Sequence, residues 1–245
     1  MPAPSLTDGN RFLSMGAARG RFDRLFSTHR IPLWLKLLYT LFVAVLVPIY
    51  WRSTPLVFLW FCNAAVLMTL AAMWLENSLL VSMSALAVFW PHVFWQVDFF
   101  IQLATGVKVF RICGLTPADY MFDPSLAPLM RFLSMQHAWV LYLLLWLLWR
   151  LGYDRRALSS QTFYAWVILL LTYALTTDLH GPAGNVNSIF GVSNREPQTW
   201  MAPWLWLVFL MVFLPVCHYG PLHFVFHRIF RPAKAGPPSA QDRSL

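Results

Sequence analysis

Six apolar runs, each near the length that crosses a bilayer, dominate this sequence and leave few folds open to it. They cover roughly residues 32–51, 56–75, 78–100, 129–148, 163–177 and 200–217, the last continuing as a basic, aromatic stretch to 230. Crossing the hydrocarbon takes ~20 apolar residues as α-helix, because every backbone N–H and C=O must be satisfied inside its own segment. Composition argues against a soluble fold. Charged residues make up 11% of the 245-residue chain and apolar residues 58%, whereas a soluble domain carries about 25% charged residues. So few charges cannot coat a water-facing surface. The sequence predicts an all-α fold, a polytopic membrane bundle of about six transmembrane helices.

Residues 1–30 read as a flexible basic arm carrying Arg11, Arg19, Arg21, Arg24 and Arg30, and 31–230 as the six-span domain. Residues 231–245 read as a Pro-rich, basic, disordered tail. The arm lacks the short apolar core of a cleavable secretory signal. The Glu76-Asn77 turn is so short that the second and third spans pack antiparallel, while longer polar loops cover 102–127 and 180–199. With the N-terminus inside, the cytoplasmic segments hold Arg11 to Arg30, then Arg150, Arg155 and Arg156, then Arg228, Arg231, Lys234 and Arg243. The opposite face holds only Arg52, Lys108, Arg111, Arg131 and Arg195. This imbalance predicts that both termini are cytoplasmic, in a cell membrane of the bacterial inner-membrane type.

A net charge of +8 and a pI of about 9.8 would point to nucleic acid in a soluble protein. Here the bases cluster at chain and helix ends, where they set topology and meet anionic lipid, so membrane lipids and not nucleic acid are the expected partners. Cys62, Cys113 and Cys217 form neither a disulfide framework nor a metal-ligand spacing. His223 and His227 stand at i, i+4, near His218, but among Arg228 and Arg231 at a helix C-terminus they suit the helix dipole better than a metal. No metal or other cofactor is expected.

Ionisable or nucleophilic groups at membrane depth are functional candidates, because burying them in lipid is expensive. Cys62 falls ~9 Å below the outer end of the second span, and His92 and His137 each ~12 Å below the outer ends of theirs, at 1.5 Å per residue. Asp98 lies near the mouth of the third span. All four belong to the outer half of the bundle, beneath a loop bearing Asn185 and Asn187. On the third helix Pro91, Trp95 and Asp98 share one stripe and His92 and Gln96 the next. Each has a structural reading: Cys62 as packing, His137 as an interhelical hydrogen bonder, His92 as partner to the carbonyl freed by Pro91, Asp98 as an interfacial acid. The functional reading pairs a thiol with an imidazole, since an imidazole can raise the thiolate fraction for acyl transfer.

From Pro55 to about Gly220 the order of features resembles the YwaF-type bacterial membrane proteins, relatives of the androgen-induced membrane hydrolases and ether-lipid acyltransferases. The resemblance rests on Phe58-Leu59-Trp60-Phe61-Cys62-Asn63 early in one span and Arg131-Phe132-Leu133-Ser134-Met135-Gln136-His137 early in a later one. It rests also on Asn187-Ser188-Ile189-Phe190-Gly191 and on Met201-Ala202-Pro203-Trp204-Leu205-Trp206 opening the last span. The bacterial relatives often carry Pro-Leu-His-Leu-Cys at the first place, and Trp60 stands here at the His position. The resemblance implies Cys62 as nucleophile and His137 as base.

The leading expectation is a lipid-directed acyltransferase or hydrolase with Cys62 and His137 as the catalytic pair. Asn63, His92, Asp98, Asn185 and Asn187 are the expected substrate-binding residues, with Asn63, Asn185 or Asn187 as donors to an oxyanion. The alternative is a non-catalytic membrane protein for lipid binding, assembly or small-solute transport. A third class, a haem protein, requires His92 and His137 to face one cavity.

Overall fold

The structure is a computed structural model that describes residues 31–53, 55–110, 115, 117–176, 184–193 and 196–230. The basic arm, Cys113, Arg111, His180, Arg195 and the tail lie outside the described residues. Within them every regular element is helical: α1 (Leu33–Ser53), α2 (Phe61–Leu75), α3 (Ser78–Thr105), α4 (Pro128–Ser134), α5 (Gln136–Leu151), α6 (Ala157–Leu175), α7 (Pro203–Phe213) and α8 (Gly220–Ile229). Short 3-10 turns cover Pro55–Leu59, Asp119–Phe122 and Val186–Ser188, and a π-helical segment, Leu214–Tyr219, joins α7 to α8.

Five stretches are long and apolar enough to cross a membrane: Leu33–Ser53, Ser78–Thr105, Pro128–Leu151, Ala157–Leu175 and Pro203–Ile229. The 15-residue α2 is shorter, ~22 Å at 1.5 Å per residue, and the turn at Pro55–Leu59 precedes it on the way into the bundle. Leu41, Trp149, Phe163 and Val216 are all more than 60% exposed. Apolar surface on this scale needs hydrocarbon around it. The chain is a multi-pass membrane protein.

The central helix is α3, which packs on α2, α5 and α6. Every residue from Val81 to Val88 is buried, the pattern of a helix enclosed on all sides. Ser82, Ser84, Ala85 and Ala87 keep that stretch slim, so neighbouring backbones approach closely. The two hydroxyls bond back to the Ser78 and Leu80 carbonyls at 2.7 and 2.9 Å. Asn77 starts the helix by accepting the N–H groups of Leu79 and Leu80. Gly106, at φ 74°, ends it.

Two ends of the bundle are distinct. At one, the Ile31 N–H and the Lys36 ammonium both donate to Glu76, the Asp154 N–H reaches Ser82, and the Tyr153 N–H reaches the Phe230 carbonyl. Residues 31 and 230 therefore finish on the same side, as an even number of crossings requires. Asp154 here is forked by the Arg156 guanidinium, whose hydrogen bonds hold its carboxyl below the usual range. The other end, the loop end, carries the described segments 106–110, 117–127, 184–193 and 196–202.

Helix boundaries differ from the sequence reading at three places. Helix α2 begins at Phe61 because Pro55 opens a 3-10 turn. Helix α6 begins at Ala157, six residues ahead of Phe163, because Gln161 turns inward toward the Tyr219 hydroxyl at 3.5 Å. The last span carries Pro215 inside the π segment, where the Gly220 N–H donates to the Pro215 carbonyl. A Cβ at Gly220 would sit 3.0 Å from that oxygen.

Candidate active site at the loop end

Cys62 stands in the first turn of α2, where a helix leaves N–H groups without intrahelical partners. Trp60 precedes the helix but offers no side-chain cap. The cap comes from Asn187, whose Oδ1 accepts the Phe61 N–H at 3.0 Å while its Nδ2 donates to the Leu59 carbonyl at 2.7 Å. Asn187 adopts φ 52°, a left-handed conformation that asparagine tolerates better than most residues. Asn185 folds the loop that presents it, donating to the Gly191 and Ser193 carbonyls at 2.9 Å each and accepting the Phe190 N–H at 3.0 Å. Gly191 is needed there: at φ 135° its Cβ would lie 2.9 Å from the Gln198 nitrogen. With the helix start fixed, the N–H groups of Cys62 and Asn63 lie in the first turn without intrahelical partners. The positive end of the helix dipole lies there too. Cys62 is half-buried.

The two imidazoles are in contact. The His92 and His137 ring centroids are 5.0 Å apart, edge to face, and the opposite side of His137 stacks on Trp95 at 5.2 Å. His137 Nδ1 lies 2.8 Å from the Ser134 carbonyl. A carbonyl only accepts, so in the neutral ring Nδ1 carries the proton and Nε2 keeps the basic lone pair. His92 is fully buried, and neither of its ring nitrogens has a hydrogen-bond partner. The sequence reading offered it the carbonyl freed by Pro91. The structure corrects this: Pro91 is exposed while His92, Trp95, Gln96 and Asp98 form the inward face.

Around the thiol and the imidazoles lies a set of polar side chains from six elements. Tyr50, Tyr120 and Ser134 stand near one another, and both phenols stand near Cys62. The Trp95 indole N–H donates to the Tyr120 hydroxyl at 3.1 Å. Gln96 donates to the His137 carbonyl at 2.9 Å and accepts from Tyr142 at 2.7 Å. Asn63 accepts from Gln136 at 2.9 Å and donates to the Val57 carbonyl at 2.8 Å. Asp98 accepts the Ala118 N–H at 3.1 Å, tying the 117–122 segment to α3.

The expected site residues thus fall into two groups. Cys62 and Asn63 sit at the start of α2 under Asn187 and Asn185, and His92, Asp98 and His137 lie along α3 and α5. Tyr50, Tyr120 and Ser134 link the groups, and no hydrogen bond joins Cys62 to His137 directly among the described residues. The expectation that asparagines donate to an oxyanion meets a constraint. Asn185 spends both amide protons on carbonyls, and Asn63 and Asn187 each spend one. The N–H groups of Cys62 and Asn63 are the better-placed donors. A haem between the histidines does not fit, because rings in van der Waals contact leave no room for a porphyrin plane.

Sequence reasoning passed over Tyr50, Tyr120 and Ser134. One tyrosine at the end of a span, one in a loop and one serine in an apolar helix gave no signal. At the opposite end the three histidines diverge. His218 is buried with its Nε2 unpartnered, His223 Nδ1 meets the Tyr153 hydroxyl at 2.8 Å, and His227 Nδ1 has no partner. Among the described residues no three His, Cys, Asp or Glu side chains are grouped to hold a metal ion. Compared with known proteins, the chain matches no family model, no curated protein and no solved structure.

Proposed function

We propose that this membrane protein acts on lipid esters as an acyltransferase or hydrolase of a bacterial-type cell membrane, with Cys62 as nucleophile and His137 as base. The observation that carries the reading is the placement of a half-buried thiol in the first turn of α2, where the helix leaves N–H groups without intrahelical partners. Such groups stabilise a thiolate before attack and a carbonyl oxygen afterwards. His137 Nε2, left basic by the Nδ1 bond to Ser134, takes the thiol proton through the Ser134, Tyr50 and Tyr120 hydroxyls or a bridging water. The thiolate adds to the ester carbonyl carbon, forming the C–S bond. The C–O bond then breaks, and the leaving alkoxide takes the proton held by His137. Water or a second alcohol resolves the thioester by the reverse sequence.

The test is labelling of the purified protein in lipid by an acyl-mimicking thiol electrophile, beside lipid turnover, in wild type, Cys62→Ala, His137→Ala and Cys217→Ala. Cys217 is exposed and is the control. The reading expects both signals to fall in Cys62→Ala and His137→Ala and to persist in Cys217→Ala. A second reading, a non-catalytic lipid-binding protein, is favoured by the absence of a direct Cys62–His137 hydrogen bond. It expects well-folded Cys62→Ala to behave as wild type.

A further inference from the structure

Beside this site, and separate from Cys62, the loop end holds a cavity of about 440 Å³ lined by Phe99, Leu103, Met121, Phe122, Pro128, Arg131, Phe132 and Met135. Its size falls in the range of small-molecule sites. Every wall is apolar except one, the Arg131 side chain. Arg131 Nη2 donates to the Asp123 carbonyl at 2.8 Å, but its Nε is buried with no partner. No carboxylate pairs with it among the described ion pairs, which are Lys36–Glu76, Lys108–Asp119 and Arg156–Asp154. The nearest acid, Asp123, is taken up by the Ser125 N–H and hydroxyl at 2.8 and 2.7 Å. Those bonds, and less strongly the charge of Arg131, hold its carboxyl below the usual range.

A partly buried guanidinium without a carboxylate partner, lining an otherwise apolar cavity, suits an anionic oxygen acceptor joined to an apolar body. Phe99 and Leu103 place the cavity beside the last turns of α3, at the loop end of the bundle, where a spanning helix approaches the headgroup region. We infer that it binds a membrane phospholipid, with the phosphodiester on Arg131 and part of an acyl chain between Phe99, Met121, Phe132 and Met135. Arginine matches phosphate oxygens by its fork of N–H groups. Nothing in this depends on Cys62 reacting. Phe99 stacks on Trp95 at 4.8 Å and Trp95 on His137 at 5.2 Å, so two aromatic rings lie between the cavity and the imidazole.

The experiment is native mass spectrometry of the purified full chain after delipidation, with phosphatidylglycerol, dioleoylglycerol or oleate added back. Wild type is expected to retain one phosphatidylglycerol. Arg131→Gln and the cavity-filling Leu103→Trp should each weaken that binding at least ~10-fold, the effect of one lost charge-assisted hydrogen bond or of an occupied site. Dioleoylglycerol, with the chains but no phosphate, should not compete. Leu103→Trp leaves the Arg131–Asp123 bond intact and decides the matter if Arg131→Gln misfolds. Wild-type phosphatidylglycerol binding in both variants overturns the inference. So does equal binding of dioleoylglycerol, and oleate binding more tightly than phosphatidylglycerol would reassign the cavity to a carboxylate. Loss of lipid turnover with phosphatidylglycerol binding intact bears on the proposed chemistry alone.

Discussion

Asn187 reaches across 126 positions of sequence to cap Phe61, accepting its N–H at 3.0 Å, and thereby fixes the start of the helix on which Cys62 stands. The same amide holds the Leu59 carbonyl. Asn187→Ala removes a cap and a second hydrogen bond together, at about 1–3 kcal/mol. It also frees the first turn of α2. The expected outcome is a lowered melting temperature together with loss of thiol labelling, read by differential scanning fluorimetry and intact mass. Labelling that survives a measurable drop in stability would mean that Cys62 reactivity does not depend on the cap.

His92 presents a different balance. A buried imidazole without partners costs ~1–3 kcal/mol per unsatisfied group, so a shape-similar apolar residue should not destabilise the bundle. His92→Leu is expected to melt at or above the wild-type temperature. If His92 serves the site through its contact with His137, the same variant loses lipid turnover. A clear drop in melting temperature would mean that the His92 nitrogens are satisfied in the membrane, by water or lipid.

Legibility in the sequence followed how local each determinant is. The spans were plain because apolar length is a property of consecutive residues: α3 and the span made of α4 and α5 were placed within about five positions, though not the break at Met135. The matched depths of His92 and His137 were readable by counting turns. Their contact was not, because depth says nothing about rotation of one helix against another. The inward face of α3 was misjudged at Pro91, where stripe counting grouped it with Trp95 and Asp98. The cap on α2 depends on a left-handed Asn187 in a distant loop, which no periodicity reveals. The links through Tyr50, Tyr120 and Ser134 exist only once three separate elements meet.

The Lys36–Glu76 pair, 2.8 Å apart with side chains 5% and 20% exposed, anchors the opposite end of the bundle. Glu76 accepts from the Ile31 N–H as well. Glu76→Gln leaves a nearly buried ammonium without its counter-charge, an effect on the order of 3–5 kcal/mol. Lys36→Met/Glu76→Gln removes both charges and should recover much of the loss. The check is thermal melting of the two variants side by side, and equal melting of both would show that the pair is not coupled.

Topology follows from the shared end of residues 31 and 230 together with the basic residues there. Reporter fusions after residue 230 and within 184–193 are expected to give cytoplasmic and external signals respectively. An external signal after residue 230 would contradict the charge rule, and same-side signals from both fusions would contradict the last crossing.

The central claim is that Cys62 becomes acylated. The direct measurement is peptide mass spectrometry of protein reconstituted in phospholipid vesicles and quenched in acid, where a thioester survives long enough to be seen. The account predicts an acyl group on the peptide containing Cys62, lost on neutral hydroxylamine treatment and absent from the peptide containing Cys217. It predicts further that the acylated fraction collapses in His137→Ala. Lipid turnover at the wild-type rate in a well-folded Cys62→Ala protein would contradict it.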